Sequence, residues 1–170
     1  VCNEKEEQVT MLEDAESLVR SWGRAVADFE GAMVPVNPAW VSPKMSFTAD
    51  QTLSMNDRQH YKVRGPKVAY VRNTARMMAI ASGRPWFDKA SVLVVVKFPD
   101  RRRRDPNNYH AMTKPIIDGF VDAGVFKDDS LDFVLGPDIR ASSEVSKPSL
   151  CSKMFDFWVL VYPVVVAGAK

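Results

Sequence analysis

The sequence predicts a small α/β (α+β) domain, a mixed β-sheet with helices packed on it, preceded by an N-terminal helical extension. Two observations carry this. Val92–Val96 and Phe155–Val166 are β-branched apolar runs that read as buried strands. Between and before them, apolar residues recur at helical spacing. With 170 residues, 46% of them hydrophobic, the chain has room for one domain with a core plus an extension.

The elements follow in order. Leu12, Ala15, Val19, Trp22, Val26 and Phe29 alternate in spacings of three and four, which makes one apolar stripe on a helix over 9–30. It reads as a helix packed on its own domain, with a coiled-coil or partner helix as the other reading. Gly31 stops it, and Pro35, Pro38 and Pro43 mark an extended connector. Residues 1–40 are therefore set apart from a main domain at 41–170. A first strand is expected at 44–49 and an amphipathic helix at 67–82, after the Gly65-Pro66 breaker and before Gly83 and Pro85. The central strand spans Ala90 to Phe98. A second helix is expected from near Pro115, with Thr113 as its cap and Gly124 as its stop. Residues 141–153, rich in Ser, Lys and Pro, read as a mobile loop before the last strand.

Charge is divided along the chain. From Arg58 to Arg104 there are thirteen basic residues against two acids, a net of +11. From Asp105 to Asp138 seven aspartates face two lysines, a net of −5. This asymmetry suits an enzyme that holds a polyanion near a metal, and it equally suits solvated surface charge. Cys2 and Cys151 form no pattern, so a reducing, cytoplasmic setting is expected. No stretch approaches a membrane span, and the acidic N-terminus lacks the apolar core of a secretory signal.

The chemistry concentrates at 101–129. Asp105 follows the central strand, and Asp128 and Asp129 follow the second helix. Carboxylates brought together at one sheet edge repel unless a cation joins them, and Mg²⁺ accepts such hard oxygen ligands. Lys114 lies one helical turn before Asp118, placed to offset charge on a phosphate. Taken singly, each piece has a plain structural reading: a solvated Asp-Asp turn, a surface i, i+4 pair, a basic run.

Together they resemble the RusA family of Holliday-junction resolvases. The matching run is Pro99-Asp100-Arg101-Arg102-Arg103-Arg104-Asp105-Pro106-Asn107-Asn108, then Lys114, then Asp118-Gly119-Phe120-Val121-Asp122-Ala123-Gly124-Val125-Phe126-Lys127-Asp128-Asp129. Met55-Asn56-Asp57-Arg58-Gln59-His60-Tyr61 and Gly136-Pro137-Asp138 are similar to further motifs of its phage and actinobacterial branch. The likeness covers roughly residues 45–165. It implies a homodimer in the cytoplasm of a bacterium or phage-infected cell. That dimer would bind branched DNA, such as four-way junctions, and nick it with Mg²⁺ or Mn²⁺. It makes Asp105, Lys114 and Asp129 catalytic, with Asp105, Asp129, Asn107 and Asp128 as candidate metal ligands. Asn107 is a departure, since the prototype has a second Asp there. The candidate DNA contacts are Arg58, His60, Lys62, Arg64, Arg101, Arg102, Arg103 and Arg104. His60 is weighed as a general base or a phosphate contact, and Tyr61 and Tyr109 as base-stacking or core residues. His110 reads as surface. The alternative function is a non-catalytic DNA-binding protein with a weakened metal site.

Overall fold

The computed structural model describes residues 38–58, 60–146 and 153–164. The expected helix at 9–30 lies outside them. The described residues form a mixed α+β unit: β1 (Trp40–Val41), β2 (Met45–Thr48), α1 (Tyr61–Ala81), β3 (Ala90–Phe98), a 3₁₀ turn (Pro106–Tyr109), α2 (His110–Ala123), β4 (Val134–Val145) and β5 (Met154–Pro163). The five strands make one sheet in the order β1-β5-β3-β4, with β2 also pairing with β5. β3 runs antiparallel to β5, with Val95 opposite Trp158, and parallel to β4, with Val94 beside Ile139. The parallel pair requires a crossover, and α2 supplies it. No helix among the described residues is long and apolar enough to cross a membrane.

Both helices pack on one sheet face. Val71, Ala75 and Ala79 of α1 and Met112, Ile116, Ile117 and Phe120 of α2 meet Val92, Val94 and Val96 of β3 and Phe157, Val159 and Val161 of β5. The strand residues alternate, so these positions share a face. The two helices approach closely at Gly119. A Cβ there would lie 2.9 Å from the Ala75 Cβ and closer still to the Arg72 carbonyl oxygen.

Three expectations are corrected. Helix α1 starts at Tyr61 rather than 67 and runs through Gly65-Pro66. Proline removes one N–H from the ladder, but residues 61–66 are exposed, so water can satisfy the carbonyl left over. Helix α2 starts at His110 rather than near Pro115. Thr113 does not cap it; its hydroxyl donates to the His110 carbonyl at 2.9 Å. Finally, residues 141–145 are strand rather than loop. They extend β4, which among the described residues pairs on β3 alone, at the sheet edge. An edge strand tolerates Ser and Glu on its open side, so its sequence lacks an apolar run. Gly136-Pro137 sits at a register shift between Ser91 and Leu93, which hides the strand further.

Candidate functional site

The site grows from the α1–α2 contact. Lys114 and Asp118 are one turn apart on α2, and the Lys114 ammonium donates to Asp118 Oδ1 at 2.7 Å. The chain stops helix α2 at Gly124, whose φ of 81° suits the left-handed cap that glycine adopts without strain. It then doubles back so that Asp129 also pairs with the Lys114 ammonium. Asp128 turns inward on its own loop, with Oδ1 accepting the Asp129 N–H at 2.8 Å. Thus Lys114 joins Asp118 and Asp129 while its side chain stays 64% exposed.

A second cation flanks this trio. Arg72 of α1 forks onto Asp122, with Nε at 2.5 Å and Nη2 at 2.7 Å, and its Nη1 lies 4.0 Å from Asp118. The bidentate bond from Arg72 holds the Asp122 carboxyl below the usual carboxylate range and raises the guanidinium in turn. Arg72 was not among the expected site residues. Asp118 and Asp122, four apart on α2, were a signal that a cation must lie on that face; which one depends on how the helices cross.

The arginine run divides into two kinds. Arg101, Arg102 and Arg103 are exposed. Arg104, expected as a DNA contact, turns inward and is only 17% exposed at its side chain. Its guanidinium sits over the rings of Phe98 and Phe155, at 5.5 and 5.7 Å, and bonds Asp100 Oδ1 at 2.5 Å. That bond, with the Arg102 N–H as a lesser donor, holds the Asp100 carboxyl far below its ordinary range. Tyr109 packs its ring on Phe98 and Phe155, and burial pushes its phenol up, with Arg104 opposing. Tyr109 therefore serves as packing at the base of the arginine loop.

Asp105 closes that loop as the cap of the 3₁₀ turn, its Oδ1 accepting the Asn107 N–H at 2.9 Å. The Met55 N–H donates to the Asn108 carbonyl at 2.7 Å, which ties the 55–61 motif to the 101–108 motif. Arg58, His60, Lys62 and Arg64 are exposed just beyond that tie. His60 caps α1 by accepting the Lys62 N–H at 3.4 Å, and its ring lies 4.4 Å from that of Tyr61, which is open to solvent. His110 is exposed.

The expected carboxylate ligands are each engaged by a neighbouring group. Asp105 caps a turn, Asp128 caps its neighbour, and Asp129 is taken by Lys114. Among the described residues no group of three or more His, Cys, Asp or Glu side chains is arranged to hold a metal ion. Asp105, Asn107, Asp128 and Asp129 offer hard oxygen donors of the kind Mg²⁺ or Mn²⁺ accepts, and one or two such carboxylates with water and phosphate oxygens are enough to hold Mg²⁺. What the arrangement offers is a row of exposed guanidinium and ammonium groups for phosphates, and one ammonium held between two carboxylates. No protein-family model matches the chain, and no curated protein matches it.

Proposed function

We propose that this chain is a RusA-like endonuclease that binds branched DNA as a homodimer and cuts its phosphodiester backbone. The observation that carries the reading is the Lys114 ammonium, fixed by Asp118 and Asp129 yet open to solvent. An ammonium so placed is preorganised to meet charge that develops on a phosphate. Arg101, Arg102, Arg103, Arg58, Lys62 and Arg64 supply phosphate contacts around the tied 55–61 and 101–108 segments. His60, exposed beside them, belongs to the same DNA-facing group. When bound, the divalent ion expected from the sequence would be held by Asp105, Asp129, Asn107 and Asp128 and would supply charge stabilisation at the phosphate.

A specific observation favours a second reading. With no carboxylate triplet among the described residues, the same basic surface fits a DNA-binding protein that does not cut. One experiment separates them. Labelled four-way junctions, forks and linear duplex are incubated with the chain, with Mg²⁺, with Mn²⁺ and with chelator. Symmetric nicks that need the metal and vanish in Lys114→Ala support the nuclease. Tight junction binding without nicks supports the second reading, and no preference for branched DNA removes both. Molar mass in solution tests the dimer.

A further inference from the structure

The sheet has a second apolar face. Leu93 and Val95 of β3, Trp158, Leu160 and Tyr162 of β5 and Val41 of β1 cluster on the side away from both helices. No residue of α1 or α2 belongs to this cluster. Yet Val95, Trp158 and Leu160 are 0, 3 and 1% exposed in the single chain. Lys97, at the end of the same face, is buried as well, with its ammonium 5.3 Å from the Trp158 ring and 2.8 Å from Glu144 Oε2. A central strand buried on both faces needs a layer on each, and the described helices supply only one.

We propose that the second layer is the helix of residues 9–30 of this same chain. Its stripe of Leu12, Ala15, Val19, Trp22, Val26 and Phe29 would seat on Leu93, Val95, Trp158 and Leu160. Length agrees: 22 helical residues span about 33 Å, against about 30 Å for the nine residues of β3. The point of attachment agrees too. The Ala39 N–H donates to the Val161 carbonyl at 2.9 Å, so residue 38 leaves the sheet beside β5. Trp40 turns to the helix side, its ring 5.3 Å from Phe120, and Val41 to the open face. Residues 31–38, extended, reach about 26 Å, more than the roughly 10 Å between packed layers. The internal segment 147–152, also outside the described residues, is too short to form such a layer. The helix is thus a structural layer of the domain, on the side of the sheet away from α2 and its Lys114. This assignment is independent of the proposed nuclease activity.

The test uses the full chain with the photo-crosslinker benzoylphenylalanine in place of Trp22. Irradiation, digestion and mass spectrometry should locate an intramolecular crosslink on β3 or β5, among Leu93, Val95, Trp158, Leu160 and Tyr162. A crosslink to α1 or α2, a crosslink between two chains, or none at all overturns the proposal. In parallel, Val19→Asp on the stripe should lower the melting temperature by several degrees and raise binding of a hydrophobic dye several-fold. Glu16→Lys, off the stripe, should change neither. A Val19→Asp chain that melts like the parent counts against the docking, and if that variant fails to fold the crosslink still decides.

Discussion

Lys114, in the N-terminal half of α2, pairs with Asp129 in the loop beyond that helix's glycine cap. Under the proposed function the pair matters for chemistry more than for folding. Exposed ion pairs contribute about 0–1 kcal/mol, and the Lys114 side chain is largely exposed. Lys114→Ala should therefore leave the unfolding free energy from urea titration within about 1 kcal/mol of the parent. Under the proposed function it should lower junction cleavage by about 100-fold or more, as loss of a preorganised donor does. Lys114→Arg should restore binding but not the full rate, because the fork cannot hold the same point charge. A fully active Lys114→Ala would remove Lys114 from the mechanism.

Gly119 decides whether that site assembles. The α1–α2 contact closes over it, and a methyl would press on the Arg72 carbonyl, the Ala75 Cβ and the Arg76 nitrogen. Backbone cannot yield as a flexible side chain can. Gly119→Ala should cost about 1–3 kcal/mol in chemical denaturation. It should also separate Arg72 from Asp122, so nearby Arg72→Ala should cost less in that background than alone. Gly65→Ala is the control: nothing lies within 4 Å of a Cβ there, and alanine favours the helix by roughly 0.5–1 kcal/mol.

How far the sequence showed these features depends on range. β3 and β5 are legible because they are buried on both faces and read as unbroken apolar runs. Lys114 with Asp118 is legible because a helix fixes the i, i+4 relation locally. Arg72 with Asp122 is not, since the two lie fifty residues apart and meet only because the helices cross closely at Gly119. β4 escapes because an edge strand carries polar residues and a Gly-Pro shift. Arg104 looks like its three neighbours in sequence, and only the rings of Phe98 and Phe155 distinguish it.

The Asp100–Arg104 pair gives a dependence on acid. Asp100 ionises at lower pH in the folded chain than in the unfolded one, chiefly through its bond from Arg104. Its contribution is fully present above the unfolded carboxylate value of about 3.9 and is lost as pH falls toward the folded value. In that window the unfolded chain binds more protons, so stability rises with pH. Arg104→Ala should return Asp100 toward its ordinary range and flatten the acid limb of a stability profile below about pH 4. Arg102→Ala, which removes a side chain 3.8 Å away but keeps the bonded N–H, should flatten it much less. Equal profiles for the parent and Arg104→Ala would contradict the assignment.

Under the proposed function the same division of arginines predicts how DNA affinity responds to salt. A side chain that neutralises one phosphate contributes about 0.9 to the slope of log affinity against log salt on duplex DNA. Arg101, Arg102 and Arg103 are exposed, Arg102 with only a loose 3.8 Å pairing to Asp100, so each alanine variant should reduce the slope by up to about 0.9. Arg104 is committed to Asp100 and two aromatic rings, and its charge is already compensated. Arg104→Ala should weaken binding by loosening the loop, at every salt concentration alike, with little change in slope. Binding titrations on a four-way junction at several salt concentrations measure both quantities. A slope that falls for Arg104→Ala as much as for Arg102→Ala would mean that Arg104 leaves its aromatic seat to reach a phosphate when DNA binds.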